Sequence, residues 1–340
     1  MHPPCSSSLW FRSLVTVLSA LAALTALSGA PASRPKTPQP PSAGAPAPQP
    51  INLQSLRAQN DAALTELLSN FASRPAGDNG RRIFDTYTRD GDVKWARESW
   101  PYRIDFTGIG WDDYRYGTAQ SQSACEVILV SPRHVLFSGH YGRGNGEHGT
   151  GWRIPAAAGK GKAIFHDRSG RRVVRNIIAV SPAAGEPTSY DTVVGLLDKP
   201  VPKGVRFYKL LPRDGIGAKS LYPKLLLDAK VVVTTREREC ALYKIVSINS
   251  NLVSLGIEST IPEASRIPVR DGGAADSVIA GDSGNPLFLF VRGQPIVIGH
   301  YWYPGGPGGG PFYSSAAVFD YISAHMASLG GGYRVSTVSF

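Results

Sequence analysis

The sequence predicts an all-β body that carries helices only at its two ends. Short runs of β-branched and other apolar residues recur from about residue 102, separated by glycine, proline, asparagine or aspartate. Helical spacing of three and four occurs only before and after these runs. The chain has 340 residues, of which 42% are hydrophobic and 18% charged. This composition supports a sizeable core and excludes a disordered protein.

The first fifty residues are predicted to form a leader and a spacer. Residues 14–27 are an uncharged apolar run of fourteen that follows Arg12 and precedes small residues, as in a secretory signal peptide over residues 1–30. A membrane span needs roughly 20 residues, so we expect no span after signal removal and a secreted or periplasmic protein. Eight prolines within residues 31–50 predict an extended linker.

Residues 51–100 are predicted to contain a helical pre-segment. Between residues 52 and 73, apolar side chains fall mostly three or four apart, which is typical of an amphipathic helix. This helix either packs on the main body or belongs to a pro-region. At the other end, residues 318–329 keep a helical period and Gly330 can end the helix.

The body between these helices contains many short runs with strand character. Examples lie at residues 126–130, 135–138, 172–180, 192–197, 230–235, 242–248, 286–291 and 295–301. No helical pattern intervenes between them, which favours antiparallel sandwiches or barrels. The glycine-rich segment 304–311 is expected to be a loop.

Charge and cysteine content narrow the classes of function. The formal net charge is +10, but three of the basic residues lie in the acid-free first fifty residues. The remaining chain is modestly basic, and we expect no nucleic-acid partner. Three cysteines without a Cys-x-x-Cys pair predict neither a disulfide scaffold nor a zinc site. No metal or cofactor is expected.

The strongest chemical signal is the sequence GDSGNP at residues 281–286. A serine between glycines can lie in a tight turn that exposes its hydroxyl. The amides of Gly281 and Ser283 can then converge on one point, as the oxyanion of a tetrahedral intermediate requires. An ordinary glycine-rich turn would also explain this segment taken alone.

Two upstream residues are a candidate base and a candidate acid. His140 follows a short apolar strand, and histidine titrates in the range needed to accept a proton from a serine hydroxyl. Asp191 begins an apolar strand, so its carboxylate can be buried beside an imidazole and orient it. No one of these residues is specific alone. The ordered set His140, Asp191 and Ser283 is specific.

This set resembles the chymotrypsin/trypsin-like serine proteases, of a bacterial secreted type. The resemblance rests on the Ser-Gly-His sequence at residues 138–140, on the Asp-Thr-Val-Val-Gly-Leu-Leu run from Asp191 and on residues 281–286. It covers approximately residues 107–329. The order of the three residues also distinguishes the chain from subtilisins and α/β-hydrolases.

The resemblance implies a fold for the main body. It implies a peptidase domain over residues 101–330, made of two six-stranded antiparallel barrels and closed by the C-terminal helix. The first barrel would span about 105–205 and the second about 206–317, with the active site between them.

The resemblance also implies the chemistry of a serine endopeptidase. Ser283 would attack the carbonyl of a polypeptide substrate, His140 would transfer the proton and Asp191 would orient His140. The backbone amides of Gly281 and Ser283 would bind the oxyanion. We expect a monomer.

Substrate-binding positions follow from the same resemblance. Ser277 occupies the position at the base of the specificity pocket in relatives, and His300, Tyr301 and Trp302 are expected in the strand that forms its wall. His300 is either an ordinary strand residue or a group that recognises an acidic side chain. Asp276, one position before Ser277, leaves a basic preference open.

The chain departs from the family pattern in two respects. Tyr141 stands where many relatives have a cysteine, so the bridge to the position of Cys125 cannot form, and pairing of Cys125 with Cys240 stays open. Asp282 would pair either with a new N-terminus, for which Ile104 is the candidate, or with an internal partner.

Two alternative functions were weighed against an active peptidase. One is a catalytically silent binding protein on a protease-like scaffold, and the presence of all three residues argues against it. The other is a secreted β-rich adhesin, for which the sequence offers no repeats. Asn285 replaces a glycine of the family motif, which leaves the amide donors intact.

Overall fold

The computed structural model describes residues 53–69, 80–88, 90–112, 126–139, 161–182, 189–215, 219–257, 279, 281–302 and 308–339. The chain divides after residue 48 into two units, and every described residue belongs to the second. Several predictions lie outside these ranges and stay predictions: the signal peptide, the proline linker, and residues Cys125, His140, Tyr141, Asp276 and Ser277.

A helix and a small hairpin precede the main sheets. Helix α1 spans Leu53–Ser69, inside the stretch that the sequence predicts as helical. Strands β1 (Phe84–Thr86) and β2 (Lys94–Trp95) pair antiparallel, and a 3-10 turn follows at Trp100–Arg103. Strands of two or three residues are too short to show a readable alternation, which explains why the sequence did not predict them.

Six antiparallel strands close into the first barrel in the order β3-β4-β5-β8-β7-β6. They are β3 (Ile109–Asp112), β4 (Glu126–Leu129), β5 (His134–Ser138), β6 (Gly161–His166), β7 (Arg172–Ser181) and β8 (Thr192–Leu197). Strand β5 is buried along its whole length. Val135 and Phe137 face the barrel interior, whereas Leu136 belongs to a core shared with the rest of the molecule. Burial on both faces explains the continuous apolar run.

The second sheet also has six antiparallel strands, in the order β13-β12-β9-β10-β11-β14. After the short helix α2 (Tyr222–Leu225) come β9 (Lys230–Thr234), β10 (Cys240–Asn249), β11 (Leu252–Gly256), β12 (Pro286–Val291), β13 (Gln294–His300) and β14 (Gly309–Pro311). Its outer strands approach each other where Trp302 N donates to Gly309 O at 2.9 Å. The predicted all-β class with two six-stranded, barrel-like sheets is therefore confirmed.

The prediction of a loop over residues 304–311 is wrong for Gly309–Pro311, which forms strand β14. Gly309–Pro311 pairs with β11, although Gly-Gly-Pro has little intrinsic strand preference. A Cβ at Gly310 would lie 1.8 Å from the carbonyl oxygen of His300. Glycine therefore allows a close backbone approach that tertiary packing, and not local propensity, requires.

The C-terminal helix α3 spans Ala316–Leu329 and ends at Gly330, whose φ is 75°. The prediction of a helix over 318–329 is confirmed, with a start two residues earlier. Val318, Ile322 and Met326 recur every four residues and face the shared core. Within the described residues, no helix is long and apolar enough to cross a membrane.

The buried side chain of Asn60 attaches helix α1 to the second sheet through hydrogen bonds. Beyond their paired residues, β9 and β12 separate, and Asn60 of α1 fills the gap. Its Nδ2 donates to Lys230 O at 2.9 Å, and its Oδ1 accepts from Phe290 N at 2.9 Å. The side-chain amide thus satisfies two backbone groups that the sheet would otherwise leave unpaired. Helix α1 therefore packs on the second sheet, and its assignment to a pro-region stays a prediction.

Candidate active site

Asp191 lies where two strands of the first barrel end side by side. Strand β5 ends at Ser138, opposite Thr192 at the start of β8. Gly139 N donates to the carbonyl oxygen of Asp191 at 2.6 Å, and Ser138 Oγ donates to its Oδ2. Strand register therefore places the acid beside the segment that continues from β5 into His140, which is outside the described residues.

The backbone around Asp191 is strained. Tyr190 and Asp191 have φ values of 56° and 48°, in the left-handed region that favours glycine. Such residues cost roughly 1–3 kcal/mol each, and they cluster at sites where the surrounding structure over-determines them. Here Thr192 Oγ1 donates to Tyr190 O at 2.8 Å, and Tyr321 OH of helix α3 donates to Thr192 O at 3.0 Å.

His300 connects the second sheet to Asp191. Its Nε2 is 3.1 Å from the Asp191 carbonyl oxygen and 3.8 Å from Oδ2, and its Nδ1 is 2.5 Å from Tyr313 OH. Burial and the nearby Asp191 charge raise the pKa of Tyr313 well above its usual range. The phenol therefore keeps its proton and donates to Nδ1, which leaves Nε2 to donate to Asp191.

The three predicted pocket-wall residues differ in exposure. His300 and Tyr301 are 0% and 1% exposed, whereas Trp302 is 37% exposed. Both ring nitrogens of His300 are bonded inside the protein, so recognition of an acidic substrate side chain would have to break these bonds. Their assignment to substrate binding stays a prediction, and the geometry gives His300 a contact with Asp191 that sequence reasoning missed.

The turn that carries Ser283 is bounded by glycines in the left-handed region. Gly281 and Gly284 have φ values of 97° and 88°, and Ser283 between them is half-buried. The amides of Asp282, Gly284 and Asn285 donate to backbone carbonyls at 3.0, 2.9 and 3.1 Å. Among the described residues, the amides of Gly281 and Ser283 have no backbone acceptor.

This turn packs directly on the first barrel. A Cβ at Gly284 would lie 3.2 Å from Glu126 O and 3.7 Å from Ser138 Cβ. Ser283 is therefore adjacent to the end of β5, the same corner that holds Asp191. The structure thus brings together two of the three predicted catalytic residues and the strand that leads to the third.

Asp282 has internal partners for its carboxylate. The residue is fully buried, and its carboxylate accepts hydrogen bonds from Arg236 N at 3.1 Å and Ile279 N at 3.0 Å. Ile104, the candidate new N-terminus, is itself buried, and its amide donates to Pro101 O at 2.8 Å. Of the two alternatives for Asp282, the structure contains the internal one.

Glu126 is a buried acid beside the site that sequence reasoning missed. It is 0% exposed, and its Oε2 is 2.8 Å from Thr234 Oγ1. Burial raises the pKa of Glu126 well above its usual range, opposed by the Thr234 hydrogen bond and the Arg238 charge. The available signal was an ionisable residue at the head of the otherwise apolar run 126–130.

Cys240 is a free thiol in this structure. It is fully buried, and burial, with the neighbouring carboxyls of Glu126 and Glu239, raises its pKa well above the usual range. Its pairing with Cys125 stays untested, because Cys125 lies outside the described residues. The described residues contain no cluster of three histidine, cysteine or acidic side chains that could hold a metal ion.

Comparison with known proteins finds likenesses of fold. No protein-family model and no curated protein matches the chain. The solved structure of human heparin binding protein matches with 15% identity and a TM-score of 0.43, over 67% of this chain and 95% of that chain. A mutant of that human protein, also called CAP37, matches with 15% identity and a TM-score of 0.44, over 72% and 99%. A likeness of this kind transfers neither activity nor ligand. The two six-stranded sheets are consistent with a chymotrypsin-like fold.

Proposed function

We propose that the protein is a secreted or periplasmic serine endopeptidase, active as a monomer on polypeptide substrates. One observation carries the proposal: the turn holding Ser283 packs against the corner where β5 leads to His140 and where Asp191 begins β8. These segments are distant in the chain, and a tertiary contact between them is what a catalytic triad requires.

In this proposal each residue has one chemical task. Ser283 attacks the scissile carbonyl while His140 accepts its proton, and His140 then gives that proton to the leaving amine. Asp191 stays ionised, supported by the Ser138 hydroxyl that donates to it, and stabilises the imidazolium. The amides of Gly281 and Ser283 bind the oxyanion, and water then hydrolyses the acyl-enzyme.

The internal partners of Asp282 support activity without a cut before Ile104. The carboxylate already accepts two backbone hydrogen bonds, so a new terminal amine is not needed to neutralise it. We expect N-terminal sequencing of the active species to give a start upstream of residue 104. A start at Ile104 in every active molecule would refute this part of the proposal.

A substitution at Ser283 tests the proposal most directly. Ser283→Ala should lower casein hydrolysis by at least about 10³-fold, because loss of the nucleophile removes covalent catalysis. A serine-directed fluorophosphonate should label the wild-type chain at Ser283 and leave the variant unlabelled. The matched control is Ser328→Ala, on the exposed face of helix α3, which should retain hydrolysis and labelling.

The same experiment separates the peptidase from the alternatives. Hydrolysis at the wild-type rate by Ser283→Ala would assign the activity elsewhere and refute the proposal. A folded wild-type protein that neither hydrolyses casein nor reacts at Ser283 would favour a catalytically silent binding protein.

A further inference from the structure

Three buried polar side chains and one backbone carbonyl connect the first barrel to the turn that carries Ser283. Glu126 Oε2, at the start of β4, is 2.8 Å from Thr234 Oγ1 on β9. The same hydroxyl is 2.9 Å from Asn285 Oδ1, and Asn285 Nδ2 donates to the Asp282 carbonyl oxygen at 2.7 Å. Asp282 and Asn285 flank Ser283, so this chain of hydrogen bonds ends on the nucleophile turn.

The direction of these hydrogen bonds is fixed from the turn backwards. A carbonyl oxygen only accepts, so Asn285 must present its NH2 group to Asp282 and its Oδ1 to Thr234. The Thr234 hydroxyl lies within hydrogen-bond distance of Glu126 Oε2 and Asn285 Oδ1 but has a single hydrogen, so both contacts are hydrogen bonds only if one partner donates, and the Asn285 oxygen cannot. Glu126 Oε2 can complete the chain only as a donor, and a carboxyl donates only when it is protonated.

The burial of Glu126 favours the same protonation state. Burial is the largest influence and raises the pKa of Glu126, the Thr234 hydrogen bond and the Arg238 charge lower it, and the Asp282 charge raises it. A further titratable neighbour among the described residues is Cys240, whose thiol is held neutral chiefly by burial, which raises its pKa. Within the described residues, Glu126 Oε1 is buried without a hydrogen-bond partner. An unpaired neutral oxygen costs less than an unpaired charge.

We propose that Glu126 is a positioning residue whose proton holds the nucleophile turn, and that its ionisation as the pH is raised releases the turn. This inference rests on the proposed peptidase function. Once Glu126 is ionised, the Thr234 hydroxyl can serve only one of its two acceptors. Either the buried carboxylate or Asn285 then loses its bond, and the turn loses the support that orients Ser283 and its amide.

The proton on Glu126 also makes the free energy of unfolding depend on pH. In the unfolded chain a glutamate releases its proton near pH 4.5, whereas folded Glu126 retains it to higher pH. The folded state therefore binds more protons in this interval, and the stabilising contribution present below pH 4.5 is lost as the pH rises towards the folded pKa. Over that interval the unfolding constant increases about tenfold per pH unit.

Glu126→Gln separates the proton from the shape of the side chain. The glutamine NH2 group can donate to Thr234 at any pH, so the hydrogen-bond chain keeps its direction. We would measure urea unfolding of the full chain between pH 5 and pH 9 (about two units to either side of neutral, spanning the interval above). The ratio of unfolding constants, wild type over variant, should rise about tenfold per pH unit and then level off at the folded pKa.

The matched control is Glu239→Gln. Glu239 pairs with Arg81 at 3.3 Å and its side chain is 20% exposed. The ratio of unfolding constants, wild type over Glu239→Gln, should lack the tenfold rise per pH unit, because Glu239 is not part of the hydrogen-bond chain that ends on the nucleophile turn.

Activity is the second readout. The kcat of the wild type should fall as the pH rises through the ionisation of Glu126, with little change in KM, and Glu126→Gln should lack this fall. Thr234→Val cuts the hydrogen-bond chain without changing side-chain shape, so it should lower kcat at every pH and also lack this pH-dependent fall. If Glu126→Gln does not fold, Thr234→Val still tests the proposal.

Three results would test the Glu126 proposal and separate it from the proposed peptidase function. A ratio of unfolding constants that does not change with pH would overturn the proposal, because Glu126 would then be ionised in the folded protein. A fall in kcat with rising pH that is of equal size in wild type and Glu126→Gln would overturn the positioning role. A ratio of unfolding constants that changes with pH, in a protein without any hydrolytic activity, would refute the proposed peptidase function. The same result would support a proton on Glu126 in the hydrogen-bond chain.

Discussion

The corner of the first barrel and the nucleophile turn of the second sheet are held in place by different interactions. At the corner, strand register sets the position of Asp191, because β5 and β8 pair up to Ser138 and Thr192. At the turn, Ser283 depends on two left-handed glycines and on buried side chains from other elements. Asp191 is positioned by the many hydrogen bonds of a strand pair, whereas Ser283 is positioned by a few hydrogen bonds and two glycines. Substitutions at the turn should therefore affect activity more selectively than stability.

The largest expected effect is at the corner itself. Asp191→Asn removes the negative charge that stabilises the imidazolium, and we expect kcat/KM at neutral pH to fall by roughly 10³–10⁴-fold. The β5–β8 ladder does not use the side chain, so circular dichroism should show a folded protein. Asp320→Asn, which alters an exposed pair with Arg213, should leave kcat/KM unchanged. A folded Asp191→Asn variant within tenfold of wild type would remove Asp191 from the triad.

The next largest effect is expected from a pair of glycine substitutions, one in the turn that carries Ser283 and one outside it. Gly284→Ala and Gly293→Ala both place an alanine at positive φ, 88° and 68°, and each should lose about 1–2 kcal/mol of unfolding free energy. A Cβ at Gly284 would also press on Glu126 O, whereas nothing lies within 4 Å of a Cβ at Gly293. Fluorophosphonate labelling should slow at least about tenfold in the first variant only, since a small misplacement of the nucleophile costs rate. Equal labelling rates would show that the contact does not position Ser283.

Much of the fold could be predicted because it follows from local patterns. Strands β8 and β12 have the bounds that their apolar runs predict. Helix α3 could be predicted from its four-residue period and from Gly330. Strand β14 could not, because Gly309–Pro311 forms a strand only through its pairing with β11 and its close approach to His300.

The residues of the candidate site also divide into those predictable from local sequence and those that depend on distant contacts. The segments of Asp191 and Ser283 could be found because each places a polar residue at a strand end or in a glycine turn. The roles of Glu126, Thr234 and His300 could not, because each depends on a contact more than 50 residues away in the chain. Non-local polar contacts leave no periodic signal in a single sequence.

The attachment of helix α1 gives an effect on stability alone. Asn60→Ala leaves the part-buried Lys230 carbonyl and the buried Phe290 amide without these partners, so the free energy of unfolding should fall by about 2–4 kcal/mol. Gln59→Ala removes a bond to the exposed Arg292 amide and a bond to Ser55 Oγ within the same helix, and should cost less than about 1 kcal/mol. Activity per folded molecule should be unchanged in both variants, as urea unfolding and active-site titration would establish. A specific loss of kcat in Asn60→Ala would mean that α1 also supports the site.

The smallest expected effect separates the support of Asp191 from general packing. Tyr313→Phe removes the hydroxyl that donates to His300 Nδ1, so the tautomer that donates to Asp191 is no longer fixed. Tyr222→Phe removes a comparable hydroxyl, bonded to Pro212 O at 3.0 Å, on another part of the molecule. Each variant should lose about 1–2 kcal/mol of unfolding free energy. Only Tyr313→Phe should lower kcat, by a few-fold, because the position of Asp191 and not its charge is disturbed. If both variants keep the wild-type kcat, strand register alone suffices to place Asp191, and the contrast between the corner and the turn becomes sharper.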